Sequence, residues 1–216
     1  MNFRMIFKNI GTLLCVEAGC MLPSLLVSII YRQSDVWAFL WSILLAAATG
    51  LGLRLIKAKS TDIFTRDGFA IVALGWIFIA IFGAVPFVIS GSISSPIDAL
   101  FEAISGFTTT GASILTDIES LPKGILFWRS FTHWMGGMGV LVLMMALLPS
   151  VKASSVHIMR AETPGPSPEK VVPKMGQTAK ILYLIYLALT LIEVVFLLAG
   201  GMPLYDSFVH AFSTAG

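Results

Sequence analysis

Residues 96–113 read PIDALFEAISGFTTTGAS, and this stretch decides the fold. Pro96 suits the first turn of a helix, and Asp98 lies near the positive end of that helix's dipole. The pattern predicts a helix from residue 97 to about residue 107, followed by the polar strand TTTGAS. Three helical turns are too short to cross a bilayer, because a crossing helix needs about 20 apolar residues. The sequence on either side therefore determines what this short helix does.

The composition places the segment in a membrane protein. Of the 216 residues 56% are apolar and 12% are charged, whereas soluble domains have about 25% charged residues. A soluble fold of this length could not bury so much apolar surface. A net charge of +2 without a dense basic patch argues against nucleic acid as a partner, and two cysteines exclude a disulfide-rich secreted domain. There is neither an HExxH motif nor a glycine-rich phosphate loop, so we do not expect an enzyme.

Long apolar runs predict five membrane crossings, at residues 10–30, 36–53, 68–90, 127–149 and 179–200. The short helix lies between the third and the fourth of these runs. Because consecutive crossings alternate in direction, the chain must enter and leave the membrane on the same face between them. Residues 96–113 are therefore predicted to form a re-entrant hairpin.

Charge predicts the direction of the crossings. With the N-terminus in the cytoplasm, 11 of the 14 basic residues fall on the inner side, as the positive-inside rule expects. These residues are Arg4, Lys8, Arg54, Lys57, Lys59, Arg66, Lys152, Arg160, Lys170, Lys174 and Lys180. Six acidic residues fall on the outer side: Asp35, Asp98, Glu102, Asp117, Glu119 and Asp206. They form either an acidic mouth that concentrates cations or ordinary solvated loops.

The strand TTTGAS has a chemical meaning at membrane depth. Irregular backbone is tolerated there only where it lines a protein or water cavity. Rings of backbone carbonyls in such a cavity replace the hydration shell of an alkali cation. Glycine adopts backbone angles that other residues avoid, which helps consecutive carbonyls to face one way. The pattern is also found in exposed turns, so the residues alone leave both interpretations open.

The chain partly repeats itself at a spacing of 108 residues. The segment DALFEAIS at residues 98–105 pairs with DSFVHAFS at residues 206–213, and each follows an apolar crossing that enters from the cytoplasm. The two units are therefore parallel repeats. Gly216 falls on Thr108 in this register. We expect the sequence to be incomplete at its C-terminus, just before a second filter strand.

Three motifs together resemble the TrkH family of bacterial potassium uptake proteins, within the superfamily that includes KtrB and the plant HKT transporters. The motifs are SGFTTTGAS, FWRSFTHWMGGMGVLVL and RAETPGP. The resemblance implies an all-α integral membrane fold with two N-terminal helices, followed by helix–pore-loop–helix repeats of the potassium-channel type. It implies an N-terminal hairpin over residues 1–57, a first repeat over 66–149, a cytoplasmic loop over 150–173 and the start of a second repeat over 174–216.

The resemblance also implies the function and its residues. The chain would take part in potassium uptake across the inner membrane of a bacterium, as a multi-pass protein with its N-terminus in the cytoplasm. Potassium would be the transported ion, and the partners would be the lipid bilayer, a second copy of the chain in a homodimer and a cytosolic nucleotide-binding subunit of the TrkA type. The implied filter residues are Thr108, Thr109, Thr110 and Gly111, with Ala112 and Ser113 as supports on the way out.

Two carboxyl groups within the crossings support a different function. Glu17 and Glu193 lie in otherwise apolar runs, and ionisable residues inside a membrane are candidates for functional sites. The alternative is a proton- or sodium-coupled cation symporter that uses these residues as carriers. A structural role is also open, because a protonated or paired carboxyl can face neighbouring helices.

Two further features have alternative interpretations. Arg129 takes part in binding at the outer mouth, reaches the membrane interface, or pairs with an acid such as Glu102. The glycines in the motif FWRSFTHWMGGMGVLVL either form a hinge or let helices approach closely, as small residues do in membranes. The glycines are Gly136, Gly137 and Gly139.

Overall fold

The computed structural model describes residues 2–56, 65–139 and 175–216. All secondary structure in these ranges is helical. The predicted cytoplasmic loop at residues 150–173 lies outside the described residues.

The N-terminal part forms a helical hairpin. Helix α1 is Phe3–Cys20, α2 is Leu22–Ile30 and α3 is Val36–Arg54. Helix α1 begins well before the predicted apolar run because the Asn2 side chain caps it, accepting a hydrogen bond from the Met5 N–H at 3.3 Å. Pro23 lies in the first turn of α2, so the crossing is interrupted at Met21.

The remaining elements form two successive sets of a long helix and a short helix. Helix α4 is Thr65–Ile89, α5 is Pro96–Phe107 and α6 is Lys123–Gly137; beyond residues 140–174, which are not described, α7 is Met175–Ala199 and α8 is Leu204–Ala215. The long helices α4 and α7 each have 25 residues, and the short helices α5 and α8 each have 12. Matching lengths in the same order agree with a repeat.

Four predicted crossings correspond to helices long and apolar enough to span a bilayer: Phe3–Ile30, Val36–Arg54, Arg66–Ile89 and Ala179–Ala199. The fifth predicted run, residues 127–149, differs. It begins within α6, but α6 ends at Gly137, and Gly139 adopts a left-handed conformation with φ of 70°. Its 15 residues measure about 22 Å, less than the hydrocarbon thickness of about 30 Å. Residues 140–149 lie outside the described part.

Packing connects the hairpin to the short helices. Helix α1 packs against α3 and α4, α4 packs against α5, and α5 packs against α6. Helix α8 then packs against both α6 and α7, and α2 also packs against α6. Large apolar side chains on the outer surfaces stay exposed, for example Trp37 at 68% and Phe196 at 72%. Such surfaces suit a lipid environment and further helices rather than water.

Candidate functional site

Helix α5 begins and ends close to the predicted positions. Ser95 is its N-cap, and the Ser95 side chain accepts a hydrogen bond from the Asp98 N–H at 3.4 Å. Pro96 occupies the first turn, where its missing N–H costs nothing. The helix ends at Phe107, so the prediction of a short helix from residue 97 to about 107 is confirmed.

The backbone turns sharply where the strand TTTGAS begins. The Thr109 N–H donates to the Gly106 carbonyl and the Thr110 N–H donates to the Ser105 carbonyl, both at 2.9 Å. This pair of bonds is a Schellman motif, which needs a left-handed residue at the position of Thr109. Thr109 has φ of 55°, which is an outlier for a β-branched residue. The strain is located in the predicted filter, as strain in proteins is often found at functional sites.

Carbonyls at residues 108–111 are available to a ligand. Within the described part of the chain, no N–H or O–H group donates to any of these four oxygens. The hydroxyl groups of Thr108 and Thr110 are occupied instead: Thr108 Oγ1 donates to the Ile104 carbonyl at 2.7 Å and lies 2.8 Å from Thr110 Oγ1. Gly111 has φ of 74°, a conformation that favours glycine. Unpaired carbonyls on a constrained strand are what dehydrated alkali cations require.

The strand is tied to α5 directly after these four residues. Ser105 Oγ donates to the Ala112 carbonyl at 2.5 Å. Ser113 Oγ donates to the Glu102 carboxylate, at 3.0 and 3.1 Å from its two oxygens, and the Ile114 N–H donates to the same carboxylate at 3.2 Å. The Ala112 carbonyl and the Ser113 hydroxyl are thus hydrogen-bonded to α5, whereas the carbonyls of residues 108–111 accept no hydrogen bond within the described part of the chain.

Glu102 differs from its predicted setting. The charge pattern grouped it with an acidic outer mouth, but only 2% of the residue is exposed, and its Oε1 lies 2.6 Å from Arg129 Nε on α6. Of the three predicted roles for Arg129, pairing with Glu102 is therefore confirmed. Asp35, another member of the outer acidic group, is also buried. The spacing of Glu102 and Ser105 on one helix face was the available signal for this role, but nothing in the sequence indicated which side of the helix the strand would follow.

The C-terminal ends of both short helices, α5 and α8, pack closely against α6. A Cβ placed on Gly136 would collide with the backbone of Phe107, the last residue of α5, and a Cβ on Gly137 would lie 3.0 Å from the Gly216 Cα at the end of α8. Close packing is therefore confirmed for these two glycines. The Phe107 ring also packs edge-to-face on Trp128, whose Nε1 donates to the Gly83 carbonyl at 2.9 Å.

The hairpin caps α6 from outside that helix. Helix α6 follows Pro122 and has no side-chain cap of its own, but the Lys123 N–H donates to Gln33 Oε1 at 2.5 Å. The Lys123 ammonium lies 4.5 Å from the centre of the Tyr205 ring on α8, and the Tyr205 hydroxyl donates to the Lys123 carbonyl at 2.7 Å. One residue at the start of α6 thus connects the hairpin with the second short helix.

Neither intramembrane glutamate lies among the filter residues. Glu17 on α1 is 3% exposed, and both of its carboxyl oxygens lack a hydrogen-bond partner among the described residues. It lies behind α5, because a Cβ on Gly83 would be 2.5 Å from the Phe107 ring and 3.2 Å from Glu17 Oε1. Glu193 is half-buried on α7, remote from the strand in sequence and on a helix that packs against α8.

Comparison with known proteins identifies the family. The model of the TrkH family, described as cation transport protein, matches residues 36–215. The Trk system potassium uptake protein TrkH of Halomonas elongata is 38% identical over 99% of this chain, and TrkH of Escherichia coli K12 is 40% identical over the same share. This chain spans about 45% of the length of each of these curated relatives.

A solved structure has the same fold. The crystal structure of the potassium transporter TrkH from Vibrio parahaemolyticus superposes with a TM-score of 0.81 at 34% identity, over 99% of this chain and 43% of that chain. These relatives are bacterial transport proteins rather than enzymes. Together with four helices in the described residues that are long and apolar enough to span a bilayer, they support a multi-pass inner-membrane protein. The matching family model, the curated relatives and the shared fold lead to one conclusion: the chain belongs to the TrkH family of cation transport proteins.

Proposed function

We propose that this chain supplies one filter strand and two pore helices to a pore for potassium uptake. The observation that carries the proposal is the row of four carbonyls at residues 108–111, which have no donor in the described chain, on a strand held at both ends by α5. Several of the relatives are named potassium uptake proteins, and the solved neighbour is named a potassium transporter. An ion that leaves water needs several such oxygens to replace its hydration shell.

Each residue of the strand has a distinct role in this proposal. Carbonyls of Thr108, Thr109 and Thr110 face the ion, and Gly111 permits the left-handed turn that lets its own carbonyl join them. Ala112 and Ser113 do not bind the ion, since their polar groups are engaged with Ser105 and Glu102. One strand covers only one side of an ion, so further strands must come from other units.

The organisation of the chain follows from the same proposal. Residues 1–57 form the N-terminal hairpin, 66–149 the first helix–pore-loop–helix unit, 150–173 a cytoplasmic loop and 174–216 the start of a second unit. The equal lengths of the paired helices support these boundaries. The distribution of 11 of the 14 basic residues supports a cytoplasmic N-terminus. The family resemblance supports a homodimer and a cytosolic nucleotide-binding subunit of the TrkA type as partners.

Gly111→Ser tests the filter. Serine at φ of 74° is strained, so the carbonyls on either side should leave their positions. We expect the variant to lose much of its preference for potassium over sodium. The assay is potassium-limited growth of a transport-deficient bacterium, together with rubidium and sodium uptake, using a protein of the relatives' full length that carries these residues, hereafter the full-length transporter. Unchanged selectivity at normal membrane abundance would refute the filter assignment.

A second candidate function is proton- or sodium-coupled cation symport. The observation that favours it is Glu17, a carboxyl group 3% exposed near the middle of a 28-residue span without a hydrogen-bond partner in the described chain. A buried anion of this kind is costly, so ionisable residues inside a membrane are candidates for functional sites. Glu17→Gln and Glu193→Gln should leave uptake intact if conduction through the filter is the mechanism. Abolished uptake in either variant, with Glu119→Gln on the exposed outer loop behaving normally, would favour symport.

A further inference from the structure

The Glu102 carboxylate is saturated by donors from two different parts of the chain. Its Oε1 accepts from Arg129 Nε at 2.6 Å, and its Oε2 accepts from the Ile114 N–H at 3.2 Å, while the Ser113 hydroxyl lies within 3.1 Å of both oxygens. Arg129 belongs to α6, whereas Ser113 and Ile114 belong to the strand after the filter. The carboxylate thus holds α5, α6 and the outgoing strand together at one point.

We propose that Glu102 and Arg129 are positioning residues that set the potassium selectivity of the filter. This inference rests on the proposed function, because it assumes that residues 108–111 bind the transported ion. The pair does not touch the ion. It fixes the strand two residues beyond Gly111, and this limits how far the carbonyls can close around a smaller cation.

The charges are essential to this arrangement. The side chains of Glu102 and Arg129 are 1% and 12% exposed, so neither charge is satisfied by solvent. Charge-assisted hydrogen bonds are shorter and stronger than neutral ones, and they hold the strand more stiffly than a neutral acceptor would. Removal of one partner would leave the other as an unpaired buried charge, which is strongly destabilising. The two residues therefore act as a unit.

The two units of the chain differ at this position. At the spacing of 108 residues, Ser105 corresponds to Ser213, but Glu102 corresponds to His210. His210 is exposed on α8. The carboxylate brace is therefore a property of the first unit and not of the repeat as a whole. Rigidity around the ion is expected to be greater on the side that the first unit supplies than on the side that the second unit supplies.

Selectivity distinguishes positioning from simple structural support. Ser113→Ala removes the hydroxyl tie but leaves the Glu102–Arg129 ion pair intact, so the protein should still fold. Glu102→Gln with Arg129→Gln removes both charges together and avoids an unpaired buried charge. The matched control is Glu119→Gln, the same chemical change on an exposed residue of the outer loop. All variants are compared in the full-length transporter, at equal membrane abundance, by the ratio of rubidium to sodium uptake.

We expect Ser113→Ala to lower this ratio about tenfold, because the loss of one hydrogen bond to a charged group lets the carbonyls close around sodium and leaves potassium binding unchanged. The double variant should lower it at least as much, and Glu119→Gln should not change it. Wild-type ratios in both Ser113→Ala and the double variant would overturn the inference and leave the proposed function standing. If the unmodified transporter itself does not prefer rubidium, the proposed function fails, and this inference fails with it.

Discussion

Replacing Gly136 with alanine should displace the filter by pushing α5 away from α6. The added Cβ would lie 2.8 Å from the Phe107 carbonyl carbon and 3.1 Å from the Phe107 Cα, and closer still to the Phe107 oxygen. Carbon atoms normally pack at about 3.5–4.0 Å, so the helices must separate by about half an ångström or more. Backbone atoms cannot move aside by a rotamer change. Thr108 follows Phe107 directly, so the displacement reaches the first filter carbonyl.

The energetic cost follows from the same geometry. Overpacking of this kind costs about 1–3 kcal/mol of folding stability. We therefore expect a lower thermal unfolding midpoint for the purified full-length transporter. We also expect a lower rubidium-to-sodium uptake ratio, because the filter is displaced. Gly106→Ala should be milder, since its Cβ would meet the side chain of Thr132 rather than backbone. Gly52→Ala is the matched control: nothing lies within 4 Å of its Cβ, and alanine favours the helix by up to about 1 kcal/mol. A Gly136→Ala variant with the stability and selectivity of Gly52→Ala would refute the reasoning.

Three further predictions concern the strand, the hairpin and the pore. Thr109→Gly should raise the unfolding midpoint of the full-length transporter, since glycine relieves a left-handed strain of about 1 kcal/mol; a lower midpoint would contradict this. Gln33→Ala should reduce the free energy of unfolding by about 1 kcal/mol and so lower the unfolding midpoint, because the Lys123 N–H loses its acceptor. An unchanged midpoint would show that this cap contributes nothing. Residues 1–216 alone in liposomes should carry no potassium flux, because one strand cannot surround an ion; measurable flux would contradict the need for further units.

The helices were predictable where their signals are local. Proline and aspartate in its first turn predicted α5 to within a residue, and uninterrupted apolar runs predicted α3, α4 and α7. Observed helix boundaries differ from the predicted ones where hydrogen bonding, which hydropathy does not describe, sets the end of a helix. Helix α1 begins at Phe3 because Asn2 caps it, although polar side chains lie in its first turns. Helix α6 ends at Gly137, where its glycines serve packing against neighbours that hydropathy does not describe.

The candidate site was predictable in its residue types but not in its support. The strand at residues 108–113 could be read as a filter because it follows a helix too short to cross. Pairing of Arg129 with Glu102 was one of three alternatives, and the geometry was needed to choose among them. The hydrogen bonds from Ser113 and Ile114 to the same carboxylate had no counterpart in the sequence pattern.

Residues close together in the chain were enough to predict a membrane protein with a short helix and a polar strand after it, because apolar length, helix capping and charge distribution are local signals. Only the tertiary structure decided that a buried ion pair 27 residues apart braces the strand, that adjacent glycines on α6 seat two short helices, and that Gln33 caps a helix 90 residues away. Such contacts depend on which faces of the helices meet. Which faces meet depends on packing throughout the fold, because the same helix contacts bury the charges and bring the glycines against their neighbours.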